Sequence, residues 1–167
     1  KEGELAFWEC TEVIASGYEV VDDWTPKSFL FAPHSASISN LRYNPTDSSK
    51  LLTTSYDGSC LVMDMEKGTF TPWFQMAKDE GAVVTGFDVR DNCAFFSDTA
   101  GCLRISDLRM NKQVCIRQLH DTKIGGVSVS ADGNVLGTCS NDRSVALWDL
   151  RKIDTSSPIN RYDFKNA

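Results

Sequence analysis

The sequence has no long apolar run, because its uninterrupted apolar stretches are only a few residues long. A helix needs about 20 consecutive apolar residues to cross a bilayer, so we expect no membrane partner. The first residues, Lys1 to Glu4, lack the character of a signal peptide. The content of 41% hydrophobic and 24% charged residues is ordinary for a soluble globular protein and argues against disorder.

Metal-binding patterns are also missing. The chain has two histidines and six cysteines, with no C-x-x-C pair and no histidine at a matching spacing. A structural zinc site needs such a set, so we predict no metal and no cofactor. Most of the cysteines fall inside predicted strands, which favours buried free thiols over disulfides and a reducing compartment, cytosol or nucleus.

Positive charge is scarce as well. The net charge is −6, and no Lys/Arg cluster is longer than the pair Arg151-Lys152. A surface that follows nucleic-acid phosphates needs a basic patch. The composition therefore argues mildly against tight nucleic-acid binding by this segment alone.

Catalytic motifs are absent from the sequence. It contains no G-x-S-x-G elbow, no P-loop, and no G-x-G-x-x-G that follows a strand and opens a helix. No candidate nucleophile stands outside the repeat pattern described next, so a Ser-His-Asp triad is not indicated. We therefore predict that the protein is not an enzyme.

What the sequence does contain is a repeat. Three times a tight turn is followed by a short apolar strand that ends on an acid, at Asp64, Asp107 and Asp149. These acids are 43 and 42 residues apart (107 minus 64 and 149 minus 107), and the last follows Trp148. A period of about 40–45 residues with a terminal Trp-Asp is typical of four-stranded propeller blades. The predicted fold class is therefore all-β, a partial WD40-type β-propeller.

The repeat predicts three complete four-stranded blades, with strands a to d, plus the outer half of another. We assign residues 1–33 to the outer strands of the partial blade with a polar insertion, and the blades to 34–75, 76–118 and 119–167 of one incomplete propeller domain. The predicted strands are 3–9 and 28–31; 38–43, 51–55, 60–64 and 69–74; 83–89, 93–97, 102–107 and 113–118; and 124–129, 135–139, 144–149 and 160–164. Closed propellers have four to eight blades, so we expect this chain to pack against the remainder of its own propeller.

A buried polar network is predicted inside two of the blades. Each has a histidine four residues before strand a and an aspartate six residues before the last apolar position of strand c. Linked, mutually satisfied polar groups can rigidify a blade. The predicted members are His34, Asp57, and Thr53 or Ser55 in the first complete blade, with Met63 in place of tryptophan, and His120, Asp142, Trp148, and Thr138 or Ser140 in the third. The second blade has Glu80, Ala100 and Ser106 at these positions, and we expect packing alone to hold it.

Several segments carry a more specific resemblance. They are Pro33 to Leu41, Leu51 to Gly58, Gly3 to Trp8, and Ser140 to Arg151. Together they resemble the family of WD repeat-containing protein 76 and its fungal DNA damage-binding counterparts, a relative of the damaged-DNA-binding subunit 2 proteins. The resemblance implies a nuclear, chromatin-associated propeller that binds DNA, with some preference for damaged DNA, and chromatin proteins in the DNA damage response.

The resemblance also implies a second role, as substrate receptor of a cullin-type ubiquitin ligase. The element implied to dock the ligase adaptor is Trp-Asp-x-Arg. Trp148, Asp149 and Arg151 match it in full, whereas Asp107 and Arg109 match only its Asp-x-Arg. An arginine at this place also pairs locally with an acid in many repeats. The alternative function is thus a protein-interaction scaffold or ligase receptor without direct DNA contact.

Repeat geometry predicts which residues face a ligand. The b–c turns and d–a connections of a propeller share one end, and loops presented by rigid strands often carry recognition. The predicted residues are Ser35, Ser37, Tyr56, Gly81, Val83, Thr99, Asp121, Lys123, Asn141 and Arg143. Tyr56 could stack on a base or anchor a protein, and Lys1, Lys123 and Arg143 could contact phosphates. Three cations are few for tight DNA binding, so a protein ligand fits equally well, and each position also suits an ordinary solvated loop.

Overall fold

The computed structural model describes residues 3–8, 28–76, 81–109, 112–155 and 157–164. Two positions singled out from the sequence, Lys1 and Glu80, lie outside these ranges. The first strands are β1 (Leu5–Trp8) and β2 (Ser28–Phe31). The first complete blade has β3 (Ile38–Asn44), β4 (Asp47–Ser55), β5 (Ser59–Asp64) and β6 (Thr69–Gln75).

The next two blades follow the same plan. The second has β7 (Val84–Arg90), β8 (Cys93–Asp98), β9 (Cys102–Asp107) and β10 (Lys112–Gln118). The third has β11 (Ile124–Val129), β12 (Val135–Ser140), β13 (Ser144–Asp149) and β14 (Asn160–Asp163), with a kinked 3₁₀ segment at Leu150–Thr155.

The sheets are simple antiparallel meanders. Three have four strands each in chain order, and β1 pairs with β2 in a two-stranded sheet. This arrangement confirms the predicted fold class of a partial propeller with three complete blades and the outer half of another. The division into units at 1–33, 34–75, 76–118 and 119–167 stays a prediction. Among the described residues, no helix has the length and apolar character to cross a membrane.

The core lies between neighbouring blades. Leu52 and Trp73 of the first blade pack with Phe87 and Phe96 of the second, and the Trp73 and Phe96 rings lie 5.1 Å apart. A second cluster joins the second blade to the third; its buried members are Phe95, Leu103, Leu119, Ile124, Leu136, Ala146 and Trp148. Side chains of a strand alternate between its two faces, so each sheet presents an apolar face to the next blade.

A buried carboxylate links all three complete blades. Asp88, on β7, is 4% exposed. It accepts a hydrogen bond from the Arg42 guanidinium of the first blade, and its Oδ2 accepts one from the Val129 backbone N–H of the third blade at 2.7 Å. The Val89 backbone N–H donates to Oδ1 at 2.7 Å. Inner strands from three sheets are therefore tied to one side chain.

Backbone hydrogen bonds define the two ends of the blades. At one end, which we call the b–c end, the turn after strand b bonds to the residue before strand a; the pairs are Tyr56 N to Ser37 O at 3.1 Å, Thr99 N to Val83 O at 3.1 Å, and Asn141 N to Lys123 O at 2.9 Å. At the opposite end, the c–d end, the pairs are Met65 N to Ser49 O, Leu108 N to Asn92 O, and Leu150 N to Asn134 O, each at 2.8 Å.

Candidate functional site

A continuous polar network supports the b–c end of the third blade. His120, 2% exposed, contacts Thr138 Oγ1 through Nε2 and Asp142 Oδ2 through Nδ1, both at 2.8 Å. The Trp148 indole N–H donates to Thr138 Oγ1 at 2.9 Å. Because an indole only donates, the Thr138 hydroxyl proton is free to point to Nε2, and the Nδ1 proton of His120 then points to Asp142. Each polar atom of the network thus has a partner of the right kind.

The first blade has the same network without its last member. His34 contacts Thr53 Oγ1 through Nε2 and Ser59 Oγ through Nδ1, both at 2.8 Å, and Asp57 Oδ2 lies 3.4 Å from Nδ1. Met63 stands where Trp148 stands in the third blade and supplies no donor.

The structure also decides which hydroxyl serves each network, a choice that the sequence left open. Thr53 and Thr138 contact the histidines. The Ser55 hydroxyl instead bonds to the Ala36 carbonyl at 3.0 Å, and Ser140 bonds to the Lys123 carbonyl at 3.0 Å. The serines therefore tie the b–c turns to the d–a connections.

The turn aspartates are held ionised. Partial burial would raise the pKa of Asp142, but hydrogen bonds from Ser144 and His120 outweigh it and lower the pKa to about 2. Burial would also raise the pKa of Asp57, but hydrogen bonds from the side chain and backbone of Ser59 outweigh burial and lower this pKa. Both carboxylates remain charged at neutral pH and hold their turns by accepting backbone N–H groups.

The second blade replaces this network with a buried ion pair. Asp98 is fully buried and Arg104 is 5% exposed, and the Arg104 Nε donates to Asp98 Oδ2 at 3.0 Å. Asp98 Oδ1 also accepts the backbone N–H groups of Ala100 at 2.9 Å and Cys102 at 2.8 Å. The expectation that packing alone holds this blade was wrong. An aspartate at the end of strand b, followed by an arginine on a buried strand, was the sequence signal for the pair.

The residues predicted to face a ligand do share the b–c end. Tyr56 is 44% exposed, and Ser35, Asp121, Asn141 and Arg143 are also exposed. Ser37, Thr99 and Lys123 are half-buried. The structure therefore brings these positions to one end of the blades; their role in binding stays a prediction.

The proposed ligase-docking residues lie at the c–d end. Arg109 makes two hydrogen bonds to the Asp107 carboxylate, at 3.1 and 2.7 Å, and Arg151 makes two to Asp149, both at 2.8 Å. The Arg151 bond is the first cause of the pKa of Asp149 being lowered to about 2. The Trp148 side chain is 4% exposed, so its indole is not available to a partner. Only the paired arginines and their aspartates present this element to solvent.

Comparison with known proteins bears on the repeat assignment. The family model described as "WD domain, G-beta repeat" matches residues 24–64 and 111–149. The chain carries WD40 repeats. Each matched stretch covers an outer strand and the three inner strands that follow it. The WD40 match omits the stretch with strands a to c of the second blade, where the Asp98–Arg104 pair replaces the histidine network.

Among the relatives of this WD40 chain are fungal proteins named DNA damage-binding protein CMR1. The one from Chaetomium globosum is 36% identical over 129 residues, covering 74% of this chain and 25% of the relative. The one from Neurospora crassa is 32% identical over 162 residues, covering 92% and 31%. The chain thus spans no more than about a third of the length of these relatives, and it is similar to the DNA damage-binding WD-repeat proteins over most of its own length.

Proposed function

We propose that this chain is part of a nuclear, non-catalytic DNA-binding protein of the DNA damage response, which contacts DNA and chromatin proteins through the b–c end of its blades. The relatives are named for binding to damaged DNA. Rigid blades with short turns present a fixed surface on which recognition residues can stand.

The observation that carries the proposal is that two cations at the b–c end of the third blade have no ion pair among the described residues. Arg109, Arg151 and Lys67 at the c–d end each pair with an aspartate two or three residues earlier in the chain. At the b–c end, Lys123 and Arg143 form no ion pair within the described part of the chain. Cations without an internal partner are the ones able to contact phosphates, and an exposed aromatic such as Tyr56 can stack on a base.

The proposal predicts salt-sensitive binding of the whole protein to duplex DNA. Each phosphate neutralised contributes about 0.9 to the slope of log K against log salt concentration, so affinity should fall steeply between 50 and 200 mM salt. Fluorescence anisotropy with a labelled duplex, undamaged or carrying a lesion, measures this. Absence of binding at the lowest salt concentration would refute the DNA function.

A second candidate is the ligase receptor, favoured by the geometry at the c–d end. Two exposed Arg-Asp pairs of the same shape stand on neighbouring blades, and paired arginines present a planar surface to a partner. If the protein is a ligase receptor, Arg151→Ala should lower recovery of the ligase adaptor in a pull-down. The control Lys50→Ala, which removes a positive charge at the same end, should leave recovery unchanged. Equal recovery with both variants would discard Arg151 as a docking residue.

A further inference from the structure

Arg143 has a backbone conformation that its side chain does not favour. Its φ is 66°, in the left-handed region. The matching turn positions of the other two complete blades are Gly58, with φ 80°, and Gly101, with φ 86°. Glycine adopts this region without penalty, whereas a residue with a Cβ is disfavoured there. A glycine would therefore suit this turn better than the arginine does.

Nothing within the described part of the blade explains the arginine. Its side chain is exposed, and no hydrogen bond or ion pair of its guanidinium is found there. Its backbone N–H bonds to Ser140 O at 3.1 Å, which any residue in this turn would do. A strained backbone conformation at a residue whose side chain makes no structural contact indicates that the side chain has a function.

A second cation without an ion pair lies beside this turn. The Lys123 backbone carbonyl accepts a hydrogen bond from the Asn141 backbone N–H at 2.9 Å, which places Lys123 against the turn that carries Arg143. The turn carboxylate of Asp142 is already engaged by His120 at 2.8 Å and by Arg161 at 3.2 Å. Asp121, exposed two residues before Lys123, forms no ion pair or side-chain hydrogen bond within the described part of the chain, and its negative charge opposes an anion here.

We propose that Arg143 and Lys123 form a contact for a backbone phosphate of DNA at the third b–c turn. This inference rests on the proposed function and names the place where the DNA backbone is held. A guanidinium offers two parallel N–H donors to phosphate oxygens, and Lys123 adds a point charge. Such a contact positions the duplex without reading bases, so it acts alike on all sequences.

The test is Arg143→Gly in the whole protein, read by duplex affinity and by melting temperature. The glycine removes the strain and the charge together, so the melting temperature should rise while affinity at 50 mM salt falls about threefold to tenfold and the salt slope drops by about 1. A purely structural role would not move the two readouts in opposite directions. Unchanged affinity with a raised melting temperature would overturn the inference.

Three further variants sharpen the result. Arg143→Gln keeps the strain and loses the charge, so affinity should fall with no gain in melting temperature. Asp121→Asn should raise affinity, because it removes the opposing carboxylate. Lys50→Ala, the same charge change at the c–d end, should leave affinity within twofold of the wild-type protein.

Two outcomes separate this inference from the function on which it rests. If the wild-type protein binds the duplex and Arg143→Gly binds it equally well, the phosphate contact is refuted and the DNA function stands. If Arg143→Gly loses affinity only for a phosphoserine peptide, the assignment to DNA is refuted. If the wild-type protein binds no duplex at low salt, both are refuted.

Discussion

Arg104→Met is expected to destabilise the chain by about 3–5 kcal/mol, because it leaves the buried Asp98 carboxylate without its cation. Asp98 has no exposed surface, and its Oδ2 is the atom that Arg104 contacts. Water cannot take the place of the guanidinium there. The free energy of unfolding, from urea titration followed by tryptophan fluorescence, measures the loss.

The double variant Asp98→Asn/Arg104→Met is expected to be more stable than Arg104→Met alone. Asparagine removes the unpaired charge and keeps an oxygen for the N–H groups of Ala100 and Cys102. Recovery on adding a second substitution is the mark of a buried charge left alone. A double variant that is less stable than the single one would show that packing, and not the ion pair, holds the second blade.

Gly101→Ala is expected to lower the free energy of unfolding by about 2–5 kcal/mol, because backbone strain and steric overlap of the added Cβ act together. Its φ is +86°, and a Cβ there would lie 2.2 Å from the His120 carbonyl oxygen and 2.7 Å from that of Thr122. Neither neighbour is the end of a flexible side chain, so the start of the third blade would have to shift. Urea titration of the variant provides the measurement.

Gly133→Ala is the matched control for this substitution. Gly133 also has a positive φ, +73°, but its added Cβ would meet only Arg90 Cγ at 3.8 Å, an ordinary contact. Its cost should therefore be the strain alone, about 1 kcal/mol. Equal losses for the two variants would mean that the close approach at Gly101 adds nothing to stability.

The fold was predictable from the repeat because turn residues and closing acids mark the ends of the strands in each blade. The bounds of β9, β11 and β13 agree with the sequence expectation at both ends, since a turn precedes each strand and the closing acid or a Ser-Ala-Asp-Gly turn ends it. β4 begins at Asp47, four residues earlier than expected, because Asp47 pairs with Asn44 after a register shift and Lys50 pairs with Asp64 of β5. The 3₁₀ segment at Leu150–Thr155 was not predicted, since no periodic pattern marks so short an element.

The candidate site was predictable where the repeat is regular. The His120–Thr138–Trp148 network lies where the spacing placed it because each member has a fixed offset from strand a or c. The Asp98–Arg104 pair was missed, because its members stand at different offsets from the residues they replace. The strain at Arg143 depends on its φ angle, which a sequence does not give. The only hint in the sequence was that glycines, Gly58 and Gly101, hold the same turn position in the other two complete blades.

Hydrogen exchange of the whole protein, with and without a duplex at low salt, tests most directly whether the blades bind DNA through their b–c end. Bound duplex is expected to slow amide exchange in the b–c turns and d–a connections, at 35–37, 56–58, 99–101, 121–123 and 141–143, and to leave exchange at the c–d end unchanged. Protection confined to 107–109 and 149–155, or no protection on this chain while the protein binds DNA, would contradict this expectation.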